Sequence, residues 1–210
     1  MIQSKLSKAF LLSMVIIIML PLNAKDKPTD LVNVATEIPT IHLDIKYATT
    51  DNFTGKKVYP VAKCYLRRSV VEKLKKVQEE LLVMGLSLKI WDGYRPLSVQ
   101  EIFWNLVPDE RYVANPKKGS RHNRGAAVDL TIVYADSGKE LLMPTAFDDF
   151  TEKAHADYMD LPAEAINNRK LLSDLMTKYR MFQLPTEWWH FDDADWQQYE
   201  ILNISYADLD

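Results

Sequence analysis

One cysteine, Cys64, is all the sulfhydryl chemistry that a chain of 210 residues carries. No internal disulfide can form, so the fold rests on its hydrophobic core in any compartment. Structural zinc sites usually close four positions and favour thiolates, so a metal bound by this chain is expected to be of the catalytic rather than the structural type. KCYLRRSV reads as a strand or loop running into a helix start and gives Cys64 a structural role rather than a nucleophile's. A formal net charge of −3 leaves no basic face for nucleic acid. Internal repeats, low-complexity tracts and interdomain linkers are missing too, which argues for one globular unit. Histidine is scarce: there are four in the chain. Where they fall therefore matters.

The one long apolar run stands at the start. Lys5 and Lys8 precede AFLLSMVIIIML, and Leu22-Asn23-Ala24 ends in a small residue. That order is a charged region, an apolar region and a cleavage site, so residues 1–24 are predicted to be a signal peptide cut near Ala24. The run is short for a membrane span, which needs about 20 residues; an uncleaved anchor is the alternative. No cysteine follows it, which excludes a lipoprotein anchor. The protein is expected to be exported, to the periplasm, with no membrane span after cleavage. Residues 25–40 read as a polar leader and residues 41–210 as the functional domain.

Periodicity sets out the elements. Ile41, Leu43, Ile45 and Tyr47 alternate with His42, Asp44 and Lys46 as in a half-buried strand, and Asp51 to Lys57 reads as a turn. Ser69 and Glu72 form a capping-box pattern ahead of Val70, Leu74, Val77, Leu81 and Leu82 at helical spacing, with Gly85 at the end. Leu86–Trp91 alternates as a strand. A second capping-box pattern, Ser98 and Glu101, opens a short helix that stops by Pro108. Ala126–Tyr134 is rich in β-branched residues, and Pro162–Tyr179 forms a third helix with Ile166, Leu172, Leu175, Met176 and Tyr179 inward. The predicted fold class is α+β, a mostly antiparallel central sheet flanked by helices.

Two stretches carry chemistry. SRHNRGAAVDL places His122 and Asp129 around Gly125, and TEWWHFD sets Glu187 ahead of His190. If His122, Asp129 and His190 meet, two imidazoles and a carboxylate make a first shell for zinc with a fourth position left for water. One anionic ligand leaves the zinc net positive, which lowers that water's pKa toward roughly 7. Glu187 is the candidate base. Residues three apart on a straight strand face opposite ways, so a bend is predicted between Glu187 and His190. Arg95, held in WDGYRP between a Gly turn and Pro96, is the candidate cation for a developing oxyanion. His42 and His155 are read as ordinary surface or core residues. Taken alone, His122 with Asp129 could equally be structural, and EWWH could be an aromatic edge strand.

The combination S-x-H-x-x-G-x-A-x-D, then E-x-W-H, resembles the zinc D-alanyl-D-alanine dipeptidases, relatives of the D,D-carboxypeptidases and the hedgehog amino-terminal domain. DIKYATTDNFTGKKVY, WDGYRP and the FD of AFDDF fall in the dipeptidase order, so the likeness spans most of residues 41–192. The resemblance implies one zinc ion per chain on His122, Asp129 and His190, Glu187 as general base and Arg95 stabilising the transition state. It implies that Ser120 and Asp148 hold the free amino group of a small dipeptide substrate. It departs at MPTAFDD, where Pro144 stands in place of the family's glycine, and at Arg121, where a small residue is common. The implied activity is hydrolysis of D-alanyl-D-alanine to two D-alanines, in salvage or turnover of cell-wall dipeptide. The alternatives are a D,D-carboxypeptidase or endopeptidase acting on peptidoglycan stem peptides, and a non-catalytic zinc module that binds wall peptides.

Overall fold

The computed structural model describes residue 27 and residues 29–209; the expected signal peptide, residues 1–24, lies outside them. Along the chain run β1 (Leu31–Asn33), α1 (Val34–Glu37), β2 (His42–Leu43), β3 (Tyr65–Arg67), α2 (Arg68–Val83), β4 (Leu86–Asp92), α3 (Leu97–Leu106), β5 (Ala127–Tyr134), α4 (Ala163–Lys178), β6 (Met181–Leu184) and β7 (Glu187–Asp193). Five strands make the central sheet in the order β2-β4-β5-β7-β6. The pairs β4–β5, β5–β7 and β6–β7 are antiparallel, and only the short β2 adds parallel to β4. The α+β architecture expected from the sequence is the one observed. Among the described residues no helix is long and apolar enough to cross a membrane.

β5 is the middle strand, and Ala127 to Val133 are buried without a break. A strand covered on both faces reads as a continuous apolar run rather than an alternation, which is why Asp129 within it stands out. Helix α2 turns Val70, Leu74, Val77 and Leu81 inward and packs on β4, while α4 packs on β5 and β6. Leu172, Leu175 and Met176 of α4 are buried as expected, whereas Ile166 and Tyr179 are half-buried.

Some expectations need correction. The segment read as a polar leader is built in from Leu31 onward: β1 pairs with β3, and Val34 and Ile38 join the core. Leu31, Val32, Val34 and Ile38 suffice for that once a partner strand is available. The predicted strand Ile41–Tyr47 shortens to β2 and then tightens into a 3-10 turn, Lys46–Ala48. Its alternation was a burial pattern all the same, since Ile41, Ile45 and Tyr47 are buried. Neither capping box forms. The N-caps are Arg67 and Pro96, without side-chain caps. Ser69 Oγ bonds the Tyr199 hydroxyl at 2.6 Å, and the Ser98 amide donates to Asn203 Oδ1 at 2.9 Å. A side chain remote in sequence thus serves the amide that a local cap would have taken.

Gly125 ties this frame to the site. It closes a 3-10 turn, His122–Arg124, with φ +66° and ψ +24°, a left-handed conformation that suits glycine. A Cβ there would stand 2.5 Å from Leu31 Cδ2. Gly55 has nearly the same φ, +64°, with nothing within 4 Å of an added Cβ. Gly55→Ala is therefore expected to cost only the backbone term of about 1–2 kcal/mol, and Gly125→Ala that term plus the displacement of the Leu31 side chain. Urea midpoints of the two variants check this; equal shifts would contradict it.

Candidate metal and catalytic site

Strand register assembles the centre. Asp92 lies opposite Asp129 across β4–β5, and Asp129 lies opposite His190 across β5–β7. A row of polar groups thus crosses three central strands. His122 comes from the 3-10 turn that leads into β5. His122, Asp129 and His190 are all buried, and one ligand atom from each lies within 4.8 Å of the others.

The imidazoles are oriented from behind. His122 Nδ1–H donates to the Gly93 carbonyl at 2.8 Å, and His190 Nε2–H donates to Asp192 Oδ1 at 2.9 Å. Each ring then turns its other nitrogen inward: His122 Nε2 and His190 Nδ1 are 3.2 Å apart. Asp129 Oδ1 is 3.0 Å from His190 Nδ1, and Oδ2 is 3.4 Å from His122 Nε2. Two facing lone pairs beside a carboxylate repel unless a cation lies among them. A proton is one solution, and burial, which would lower the pKa of His190, is overcome by Asp192 and Asp129, which raise it well above its usual value. Burial would likewise raise Asp129, but His122 and then His190 hold it well below the ordinary carboxylate range. Two imidazoles and one carboxylate with these outer partners fit zinc, and they leave a position open.

The bend expected in β7 is present as a register break. Gln183 lies opposite Phe191 while its neighbour Leu184 lies opposite Glu187, so Trp188, Trp189 and His190 bulge out of the ladder. Glu187 Oε2 comes to 3.8 Å from His190 Nδ1. Its carboxylate makes no hydrogen bond among the described residues, and burial pushes its pKa up to about 7. An acid so placed is poised to exchange a proton near neutrality.

Arg95 is gripped on three sides. Its Nε and Nη2 donate to Asp92 Oδ2 at 3.2 and 2.7 Å, and Nη1 donates to Gln100 Oε1 at 2.9 Å. The guanidinium also lies 4.6 Å over the Phe103 ring. Three of its five N–H groups are thereby used, leaving one on each terminal nitrogen. Asp92 accepts from Tyr59 and from the Gly93 amide as well, so one buried carboxylate fixes both the arginine and the turn that holds His122.

Asp148 adopts φ +59°, unusual for a residue other than glycine. Its carboxylate accepts from the Tyr47 hydroxyl at 3.0 and 3.2 Å. Burial, followed by the negative charge of Asp129, raises its pKa to about 8. Ser120 Oγ accepts from the His122 amide at 3.2 Å. Arg95, Ser120, His122, Asp129, Asp148, Glu187 and His190 all line one cavity of about 520 Å³. Every site residue expected from the sequence is thus brought together, while His42 and His155 stand outside the cluster. Pro144 does not turn Asp148 away from the cavity.

Tyr47, Asp92, Gln100 and Asp192 were not foreseen. Asp192 left a signal: residues two apart on a strand share a face, so an acid two places after a candidate ligand is a candidate orienting group. Loss of such a partner typically costs 10–100-fold in metal affinity. Asp192→Asn is expected to weaken zinc binding by that amount in a chelator competition, with the fold intact; unchanged affinity would contradict the role.

Comparison with known proteins agrees with this geometry. The family model described as D-ala-D-ala dipeptidase matches residues 27–208. The D-alanyl-D-alanine dipeptidase of Escherichia coli is 37% identical over 179 residues, covering 85% of this chain and 92% of that one. Those of Enterococcus faecalis and Enterococcus faecium are 32% and 33% identical, covering 74% and 72% of this chain and 87% and 85% of their own. With the cluster of His122, Asp129 and His190 in place, the chain belongs to the D-alanyl-D-alanine dipeptidase family of zinc peptidases.

Proposed function

We propose that the protein hydrolyses D-alanyl-D-alanine, with Glu187 moving the proton. The observation that carries this reading is a half-buried carboxylate without a hydrogen bond among the described residues, 3.8 Å from His190 Nδ1. Zinc would be held by His122, Asp129 and His190 and would supply Lewis acidity toward a water and toward the scissile carbonyl. Glu187 takes a proton from the attacking water. The water oxygen bonds to the carbonyl carbon, and the C–N bond breaks as Glu187 returns the proton to the leaving nitrogen. The two uncommitted N–H groups of Arg95 stabilise negative charge as it develops on the carbonyl oxygen.

Asp148 holds the substrate's ammonium, with Ser120 as a second acceptor. A half-buried carboxyl with its pKa raised to about 8 is costly to ionise in the free site, and an arriving ammonium offsets that cost by favouring the charged form. A longer peptide brings a neutral amide to the same place and forfeits the gain. Dipeptide specificity follows from the charge that Asp148 carries. The N-terminal segment with Lys5 and Lys8 supports export, hence a role in salvage or turnover of wall-derived dipeptide. N-terminal sequencing of the protein from the cell envelope is expected to begin at Lys25; an intact cytosolic form would contradict this.

Glu187→Gln is expected to lower kcat by 10²–10⁴-fold with full zinc content. A base works only when ionised, and the Glu187 pKa is raised, so activity is present above that pKa and lost as pH falls through it. Burial raises the pKa of Glu187 to about 7, and a cation on the three ligands would lower it. A pH profile of kcat/KM should therefore fall on the acid side through an apparent pKa at or below about 7. A variant that keeps its activity, or a profile flat from about pH 5 to 8, would sink the assignment.

A further inference from the structure

A dipeptide has two charged ends, and Asp148 accounts for one. Its terminal carboxylate, drawn into the same cavity, needs N–H donors, best from a cation. The cationic side chains of Lys or Arg lining the cavity are Arg95, Arg111, Lys118, Arg121 and Arg124. In the other four a terminal nitrogen is already engaged. Arg95 is held by Asp92 and Gln100; Arg111 pairs with Asp109, and Lys118 with Glu110. Arg124 donates to the Tyr199 carbonyl.

Arg121 differs. Its Nε lies 3.5 Å from Asp192 Oδ2, and its guanidinium lies 4.7 Å over the Trp196 ring. Its two terminal nitrogens make no hydrogen bond among the described residues, and the side chain is 40% exposed. Asp192 is also the acceptor for His190 Nε2. The tether therefore holds Arg121 on the outer flank of His190, while the Nδ1 of that ring faces Asp129. Tyr47, which bonds Asp148, lies instead beneath the Arg95 guanidinium, 5.4 Å from it. An acid, Asp148, and an unspent arginine, Arg121, thus line the same cavity as the metal cluster, each on a different partner.

Resting on the peptidase reading, we propose that Arg121 binds the C-terminal carboxylate of the substrate and so makes the enzyme selective for peptides with a free C-terminus. A guanidinium held through Nε and an aromatic face presents both terminal nitrogens as a fork that matches a carboxylate. Asp148 and Arg121 then pin the two ends of a zwitterion with the scissile bond between them. The residue acts on recognition, and its loss is borne by KM.

The test uses the zinc-loaded full chain with D-alanyl-D-alanine and its C-terminal amide, D-alanyl-D-alaninamide. The protein as found is expected to prefer the acid over the amide by roughly 10- to 100-fold in kcat/KM, the range of charge-assisted hydrogen bonds. Arg121→Gln should erase that preference by raising KM for the acid, with the amide changed less than about 3-fold and zinc content unchanged. Arg121→Lys, which keeps the charge and loses the fork, should fall between. Arg111→Gln, which removes an equal charge from the same cavity, should leave the preference in place. A preference that survives in Arg121→Gln overturns the inference, as does an equal loss on both substrates, which would mark a structural role through Asp192. If the unaltered protein turns over neither substrate with zinc bound, the peptidase reading itself falls.

Discussion

Two imidazoles aimed at each other are the constraint on which the rest of this structure depends. His122 and His190 each give their outward N–H to a fixed acceptor, the Gly93 carbonyl and Asp192. That leaves two lone pairs and the Asp129 carboxylate converging in a buried space, an arrangement that is repulsive until a cation enters. The fold maintains it through the sheet. Asp129 and His190 are register partners in adjacent central strands, so their separation is set by backbone hydrogen bonds rather than by loops. The third ligand, on a short turn, is locked by Gly125 and by the Arg95 amide, which donates to the His122 carbonyl at 3.1 Å.

Around this centre the same groups do double duty. Asp92 fixes Arg95 and, through the Gly93 amide, the turn whose carbonyl orients His122. Asp192 orients His190 and tethers Arg121. Such sharing explains why the polar residues of the site are so deeply buried without being orphaned. Glu187 differs: it is half-buried on the cavity wall without a hydrogen bond among the described residues, and the bulge in β7 is what delivers it. An unpaired acid is costly where water is partly excluded, and the cost is offset where the acid has a cation and a reacting proton to meet. Asp148, in a left-handed conformation and raised in pKa, is a second locally unfavourable feature in the same cavity. Both lie where substrate would bind, as strain in folded proteins tends to.

Much of this was legible in the sequence, for identifiable reasons. Strand β4 and helices α2 and α4 announce themselves by period, because burial imposes period, while β5 and β7 show in their β-branched and aromatic residues. The ligands are legible because histidine is scarce and the spacing in SRHNRGAAVDL and TEWWHFD is distinctive. What escaped depends on partners far apart in the chain. The capping boxes failed because Tyr199 engages Ser69 and Asn203 takes the Ser98 amide. The leader was misread because its few apolar residues gain a strand partner only once β3 is folded. Tyr47 looked like one more inward residue of a strand; its hydroxyl matters only because Asp148, a hundred residues on, turns back to meet it.

The most direct test of the whole account is product release from three peptides by the zinc-loaded protein: D-alanyl-D-alanine, its L,L isomer, and a pentapeptide ending in D-alanyl-D-alanine. The account predicts alanine from the D,D dipeptide alone, lost when a chelator removes the metal. Alanine released from the pentapeptide would mean that Asp148 does not close the amine end of the site, and a zinc-bound protein inert toward all three would contradict the peptidase reading.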